Sequence, residues 1–219
     1  MSTERRTAAT VGVLYIIGSV AGILSVSVTG GGLEGPDYLA SADSIGARLP
    51  AGALLILVMG LALAFIPIVI FPILRETSER MALGYIVFRS ALETCGYFLV
   101  VVMWTVLFLL ADSDTNLDEL RGVGTALGDI AEMGGTIGTI FFLTGAGLFY
   151  WVLFTSRLVP RWLSGWGLVA AVPYLIAALL KIFAAIEPFS TTEVLLSAPL
   201  GLQEMVLALW LIVRGFSRQ

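Results

Sequence analysis

Two residues that could hold or move a proton lie inside an apolar stretch of the sequence. Arg89 and Glu93 fall within the run 84–110, which is long enough to cross a bilayer. A charge at bilayer depth costs about 2.5 to 3.5 kcal/mol on insertion scales, so such groups usually face a bundle interior and have partners. Their i, i+4 spacing places them about one helical turn apart on one face. The sequence therefore predicts a polar interior beside this face.

Further polar residues in the apolar segments are candidates for the same interior. With a rise of about 1.5 Å per residue, Glu93 and Glu204 both come out about 15 Å from the cytoplasmic ends of their helices, close to the bilayer midplane. Lys181 and Glu132 are predicted in the outer third, and Gln203 adjoins Glu204. The candidate buried polar site therefore comprises Arg89, Glu93, Glu132, Lys181, Gln203 and Glu204.

The charges of this site do not balance, which predicts that one of its carboxylates binds a proton. Two cations and three carboxylates leave one carboxylate without a full counter-charge, and desolvation favours its protonated form. We therefore expect Glu93, Glu204 or Glu132 to be protonated, or to exchange a proton, near neutral pH. The alternative is a fixed bridge from Arg89 to Glu93 and Glu204 that locks two helices together. The aromatic residues that could line a cavity here are Tyr97, Trp104, Phe141, Phe142, Phe149, Tyr150, Trp151 and Tyr174.

The composition is that of an integral membrane protein. Of 219 residues, 58% are hydrophobic and 13% are charged, with a mean hydropathy of +0.97, far too apolar for a soluble domain. We predict an all-α bundle of six transmembrane helices as a single domain over 1–219. Residues 29–50 form an outer loop in which Asp37 caps a short helix through Ala42. The predicted spans are about 8–28, 51–74, 82–110, 130–154, 163–186 and 194–213.

The basic residues predict the orientation, because Lys and Arg near helix ends are retained in the cytoplasm. Arginine pairs occur at the N-terminus, in the second and fourth connections and at the C-terminus, whereas the other three connections are acidic and contain only Arg48 and Arg121 as cations. Both termini are therefore expected in the cytoplasm.

Several function classes are disfavoured. The chain has no His and one Cys, so the commonest haem and transition-metal ligand is missing and no intramolecular disulfide can form. No basic stripe lies outside the charge pattern of the loops, which argues against nucleic-acid binding. We expect no cofactor and no metal, and the sequence assigns no catalytic residue.

Five segments of the sequence carry a resemblance to known sequences when they are read in order. They are RTAATVGVLYIIGSVAGILS, FPILRE, GYIVFRSALE, FYWVLFTSRLVPRWLSGWG and LQEMVLALWLIVRGF. Together they resemble an uncharacterised bacterial six-helix membrane family catalogued only as a domain of unknown function. The more specific parts of the resemblance are Arg89 with Glu93, Glu204 and the closing LWLIVRGF. It covers nearly the whole chain and implies a multi-pass protein of the bacterial inner membrane, with no implied activity.

Three functions fit these residues. In a proton-coupled transporter of a small molecule or lipid, Glu93 and Glu204 accept the proton, Arg89 contacts an anionic substrate or stabilises the carboxylates, and so small a carrier forms a homodimer. In a membrane-embedded enzyme, a protonated Glu acts as general acid on a lipid or isoprenoid. In a lipid-binding or scaffold protein, the charges are structural. Membrane lipids and a hydrophobic or anionic small molecule are the expected partners.

Overall fold

Helices make up most of the protein. The structure is a computed structural model, and it describes residues 2–30, 37–113, 117–188 and 190–217. Side chains are described outside 117–119. Residues 31–36 of the predicted outer loop lie outside the described residues, and so do Asp114 and Arg218, which belong to the charge pattern of the loops. The helices are α1 (Thr3–Thr29), α2 (Tyr38–Ile45), α3 (Arg48–Tyr85), a π-helical segment (Ile86–Leu92), α4 (Glu93–Ala111), α5 (Leu117–Ser156), α6 (Arg161–Ile182) and α7 (Thr191–Val213).

Within the described residues, five continuous helical runs are long and apolar enough to cross a membrane. The longest, Arg48–Ala111, has 64 residues, whereas a bilayer needs about 20. It is broken at Ser78, whose φ of −159° and ψ of 104° are extended. The two arms lie side by side, since the Ser90 hydroxyl donates to the Ala64 carbonyl at 2.6 Å. The chain therefore reverses at Ser78.

The long helices form a closed ring. α1 packs on α3, α3 on α4, α4 on α5, α5 on α6, α6 on α7, and α7 on α1. Arg5 joins the two ends of the chain, because its guanidinium donates to the carbonyl of Leu211 at 2.9 Å and to that of Ile212. These carbonyls are left without partners where α7 ends. Both termini therefore lie at the same end of the bundle, here called the arginine end.

The short helix α2 covers the opposite end. The Asp37 side chain accepts a hydrogen bond from the Ala40 backbone at 3.1 Å, which caps the helix. Leu39, Ala42 and Ile45 are buried on one face. They pack in a cluster with Leu49 of α3 and Leu107 of α4.

α4 and α5 approach closely through glycines. The GxxxG spacing at Gly134 and Gly138 predicted a close contact in this helix. The facing residue is Gly96 of α4, where an added Cβ would lie 3.0 Å from the Gly134 carbonyl oxygen and 3.2 Å from the Gly138 Cα. Backbone occupies the space that any side chain at Gly96 would need.

Gly96→Ala is expected to lower the free energy of unfolding by about 1–3 kcal/mol, the usual cost of overpacking. Thermal unfolding of the purified protein in detergent measures the effect. Gly147→Ala in α5 is the control, since its Cβ would meet nothing within 4 Å. Equal melting temperatures for the two variants would contradict the close packing of α4 and α5.

Candidate functional site

An ion pair lies at the junction of the π-helical segment and α4. Arg89 Nη1 is 3.1 Å from both carboxylate oxygens of Glu93. Arg89 is 2% exposed and Glu93 is 1% exposed, so the pair is sealed from solvent. π-helical turns are rare and often occur at functional sites. Here the wide turns include Arg89 and end directly before Glu93.

Glu204 of α7 completes the cluster from the other side of the bundle. Its Oε1 lies 3.6 Å from Arg89 Nη2, beyond hydrogen-bond distance. Among the described residues, Oε1 has no hydrogen-bond partner, and the side chain is 15% exposed. Of the two carboxylates, Glu204 is therefore the less tightly held and the more accessible.

Aromatic side chains complete the surroundings of the ion pair. The Tyr97 hydroxyl donates to Glu93 Oε1 at 2.6 Å. The Arg89 guanidinium carbon lies 4.3 Å from the centroid of the Phe142 ring, which is within cation–π range. Arg89 and Glu93 are thus held by partners from their own helix and from α5, in addition to each other.

A cavity of about 300 Å³ adjoins this cluster, and all six long helical arms line it. Small residues such as Gly18, Gly135 and Gly201 make the space. Of the aromatic residues that the sequence suggested as walls, Tyr97, Phe142 and Tyr174 line it, whereas Trp151 is 49% exposed. Arg89 and Glu204 are its charged lining residues.

A sealed layer closes the cavity toward the arginine end. Its residues, here called the tyrosine layer, are at most 1% exposed: Tyr15, Ile66, Tyr85, Phe149, Tyr150 and Leu207. Tyr85 stacks on Phe149 with ring centroids 4.7 Å apart, and the Tyr15 and Tyr85 hydroxyls are 3.5 Å apart. All six residues belong to one packed core cluster, so this part of the bundle interior is filled by side chains.

A second cavity, of about 870 Å³, lies at the arginine end. Thr7, Pro72 and Ser156 line it. Each of these three residues shares its helix with residues that line the first cavity, and residues of the tyrosine layer lie between the two groups. In α1, for example, Tyr15 lies between Thr7 and Gly18. The two cavities are therefore stacked along the bundle with the layer between them.

Two of the predicted site residues lie elsewhere. Glu132 is exposed and accepts a hydrogen bond from the Tyr38 hydroxyl of α2 at 3.2 Å. The pKa of Tyr38 is raised to about 12, first by its burial and then by the charge of Glu132. Lys181 pairs with Glu193 of α7. The prediction that these two residues share the site is wrong, because each finds a nearer partner outside it.

Gln203 is buried, but its side chain contacts α6 and not the cluster. Its Nε2 donates to the Leu163 carbonyl of α6 at 3.0 Å. Adjacent residues of an α-helix point about 100° apart, so Gln203 ties α7 to α6 while Glu204 faces the cavity. The structure thus brings together Arg89, Glu93 and Glu204, one guanidinium against two carboxylates.

The side chains of this cluster can bind charged groups or protons. Within the described residues, no group of three or more Asp, Glu, Cys or His side chains is close enough to hold a metal ion. A carboxylate beside a cavity can bind a proton or a cation, and a guanidinium held by two carboxylates stabilises the ionised form of both.

Comparison with known proteins assigns the chain to a family. The model of a domain of unknown function, DUF4386, matches residues 10–215. The chain belongs to the DUF4386 family. The resemblance predicted from the five segments is thereby confirmed, and Arg89, Glu93 and Glu204 all fall inside the matched region. No curated protein and no solved structure matches the chain.

Sequence reasoning missed three features of the site. The π-helical segment has no compositional signature, because it differs from an α-helix by the register of the backbone hydrogen bonds. The Tyr97 bond to Glu93 could have been found from its i, i+4 spacing. The tyrosine layer joins residues from different helices, which only the packing reveals.

Tyr97→Phe is expected to destabilise the protein by about 1.5–3 kcal/mol, because the buried Glu93 carboxylate loses a charge-assisted hydrogen bond. Thermal unfolding in detergent measures the loss. Tyr38→Phe is the matched control, since it removes a hydroxyl that donates to the exposed Glu132. A similar loss in both variants would show that the Glu93 bond has no special contribution.

Proposed function

We propose that this protein is a proton-coupled transporter of a small molecule in the bacterial cell membrane, with Glu204 as the group that exchanges the coupling proton. In this proposal the chain crosses the membrane six times and the arginine end faces the cytoplasm. The positive-inside rule supports this orientation. The cavity of about 300 Å³ beside the cluster, called the central cavity below, then lies on the outer side of the tyrosine layer.

The stacking of two cavities on either side of a sealed layer is the observation that supports transport. A carrier must expose one site alternately to the two sides of the membrane, with a closed barrier on one side at a time. Here Arg89 and Glu204 line one cavity, and the tyrosine layer lies between them and the other cavity. A purely structural ion bridge would need neither cavity.

Glu204 is favoured over Glu93 for the proton on geometric grounds. Glu93 accepts hydrogen bonds from Arg89 and from Tyr97, and such bonds stabilise the ionised form. In the part of the chain that the structure describes, the contact of Glu204 with Arg89 is longer, at 3.6 Å. Protonation at Glu204 would also release α7 from Arg89, which links the proton to a movement.

The chain has elements that can move. α7 contains Pro199 and α3 contains Pro67 and Pro72, and a proline inside a helix frees a carbonyl and bends the helix. Pro199 lies between Ser197 and Gly201, both of which line the cavity. α7 is therefore the arm that we expect to rearrange when Glu204 changes its protonation state.

Side-specific labelling tests alternating access. In a Cys95→Ser background, Ser19→Cys places a thiol in the central cavity, and a membrane-impermeant maleimide is added to vesicles of either orientation. We expect labelling from the outer side. Adding Glu204→Gln, which imitates the protonated form, is expected to shift labelling toward the cytoplasmic side.

Two controls define the result. Ala177→Cys, at a fully buried position of α6, is expected to remain unlabelled, and Glu132→Gln is expected to leave the labelling of Ser19→Cys unchanged. Labelling of Ser19→Cys from one side only, whatever the residue at Glu204, would contradict the transport proposal and favour a structural bridge.

A further inference from the structure

The cluster beside the central cavity carries an excess of negative charge. Arg89 is its cation, against Glu93 and Glu204, so the cluster has a net charge of −1 when all three groups are ionised. Among the described residues, the other candidate cation, Lys181, is paired with Glu193 outside the cluster. A ligand that completes the charge balance is therefore positive.

Both terminal nitrogens of Arg89 already face a carboxylate. Its Nη1 contacts both oxygens of Glu93 and its Nη2 faces Glu204. Its Nε is fully enclosed and has no partner in the described part of the chain. An anionic substrate, which the sequence suggested on the strength of Arg89, would have to displace one of the two carboxylates from it.

The walls of the cavity suit an organic cation. The rings of Tyr97, Phe142 and Tyr174 line it, and aromatic rings attract ammonium groups through their faces. A volume of about 300 Å³ is at the lower end of the range of ligand sites, about 300–1,000 Å³. The space fits a small molecule and is too small for a whole lipid.

Resting on the proposed function, we infer that the substrate is a small organic cation of the ammonium class, which binds Glu204 in exchange for its proton. Glu204 then carries either a proton or the cation, and the two compete for one carboxylate. Outward movement of one and inward movement of the other would make the protein an antiporter.

Competition between proton and cation has a measurable consequence. While Glu204 is protonated in the free protein, cation affinity increases about tenfold per pH unit, because one proton leaves for each cation bound. Among the described residues, the ionisable groups near enough for their charge to act on Glu204 are Arg89, Glu93, Tyr15, Tyr85, Tyr150 and Tyr174. The tyrosines and Arg89 keep their protons at neutral pH, and Glu93 is fixed by Arg89 and Tyr97.

Three probes of one shape and different charge test the inference. Isothermal titration calorimetry of the purified protein compares benzyltrimethylammonium, benzyl alcohol and benzoate. We expect the cation to bind at least tenfold more tightly than either of the others, with release of about one proton per cation in buffers of different ionisation enthalpy. Equal or tighter binding of the alcohol or of benzoate would overturn the inference.

Variants locate the binding site. Glu204→Gln is expected to lower the affinity for the cation at least tenfold. Glu204→Asp, which keeps the charge, is expected to retain most of the affinity. Gly201→Leu should block binding by filling the cavity, since a Cβ there meets nothing within 4 Å. Gly147→Leu, at an equally open position of α5, and Glu132→Gln are the controls. Unchanged affinity in Glu204→Gln or Gly201→Leu would contradict the site.

The two proposals can fail separately. If the cation binds as expected but labelling of Ser19→Cys never changes side, the cation inference is supported and transport is overturned. If labelling changes side with Glu204→Gln but the neutral probe or the anion binds best, transport is supported and the cation inference is overturned.

Discussion

Arg89→Met is expected to destabilise the protein more than any other single substitution in the cluster, by about 3–5 kcal/mol, because it leaves a buried carboxylate without its counter-charge. Glu93 would lose its closest ionic partner while remaining 1% exposed, and Glu204 would lie in the same interior. Methionine is long and apolar, so packing against Phe142 is largely retained. The melting temperature in detergent and the yield of folded protein measure the effect.

A double variant separates charge from packing. Arg89→Met with Glu93→Gln removes the guanidinium and one carboxylate together, so Glu204 is the remaining carboxylate of the cluster and can be protonated. We expect it to recover much of the stability lost in Arg89→Met. If the double variant were as unstable as the single one, the loss would come from packing. If Arg89→Met itself were as stable as the original protein, the buried bridge would have no structural role.

Glu204→Gln is expected to abolish proton exchange in the membrane interior. In the proposal, a carboxyl C=O band in the infrared spectrum of the protein grows and disappears as the pH is changed, and shifts in D₂O. Glutamine has the same shape and carries no exchangeable acid proton at any ordinary pH, so this band should be lost. Attenuated total reflection infrared spectroscopy of the reconstituted protein provides the measurement.

Glu132→Gln is the matched control for this spectrum, because Glu132 is exposed and lies outside the cluster. Its band pattern in the membrane interior should be that of the original protein. Loss of the band in Glu93→Gln but not in Glu204→Gln would assign the proton to Glu93 and contradict the proposed mechanism.

The sequence indicates how deep in the membrane a residue of a helix lies, but not which way its side chain points. Counting residues from helix ends placed Glu93 and Glu204 at one level, and the structure has Arg89 between them. The same count placed Glu132 and Lys181 in the outer third, where Tyr38 and Glu193 hold them away from the cluster. Which side a residue faces depends on helix rotation, and rotation is determined by packing between helices.

The long apolar runs were similarly easier to predict than their breaks. Length and hydropathy indicate where helices lie, since lipid leaves few alternatives to helical hydrogen bonding. The segment 75–80 is charged and looks like a loop, but the helical run continues through it except at Ser78. The reverse holds at Ile86–Leu92, where nothing in the long apolar run indicates the change to a π-helical segment.

The contact between α1 and α7 has a consequence for how the protein is made. A chain enters the membrane from its N-terminus, so α1 is in place long before α7 has been synthesised. Until then, Arg5 has no carbonyl groups of α7 to contact, and Arg89 and Glu93 lack Glu204. The polar site is therefore assembled at the end of biosynthesis, and a product truncated before α7 would have neither the complete ring nor the cavity.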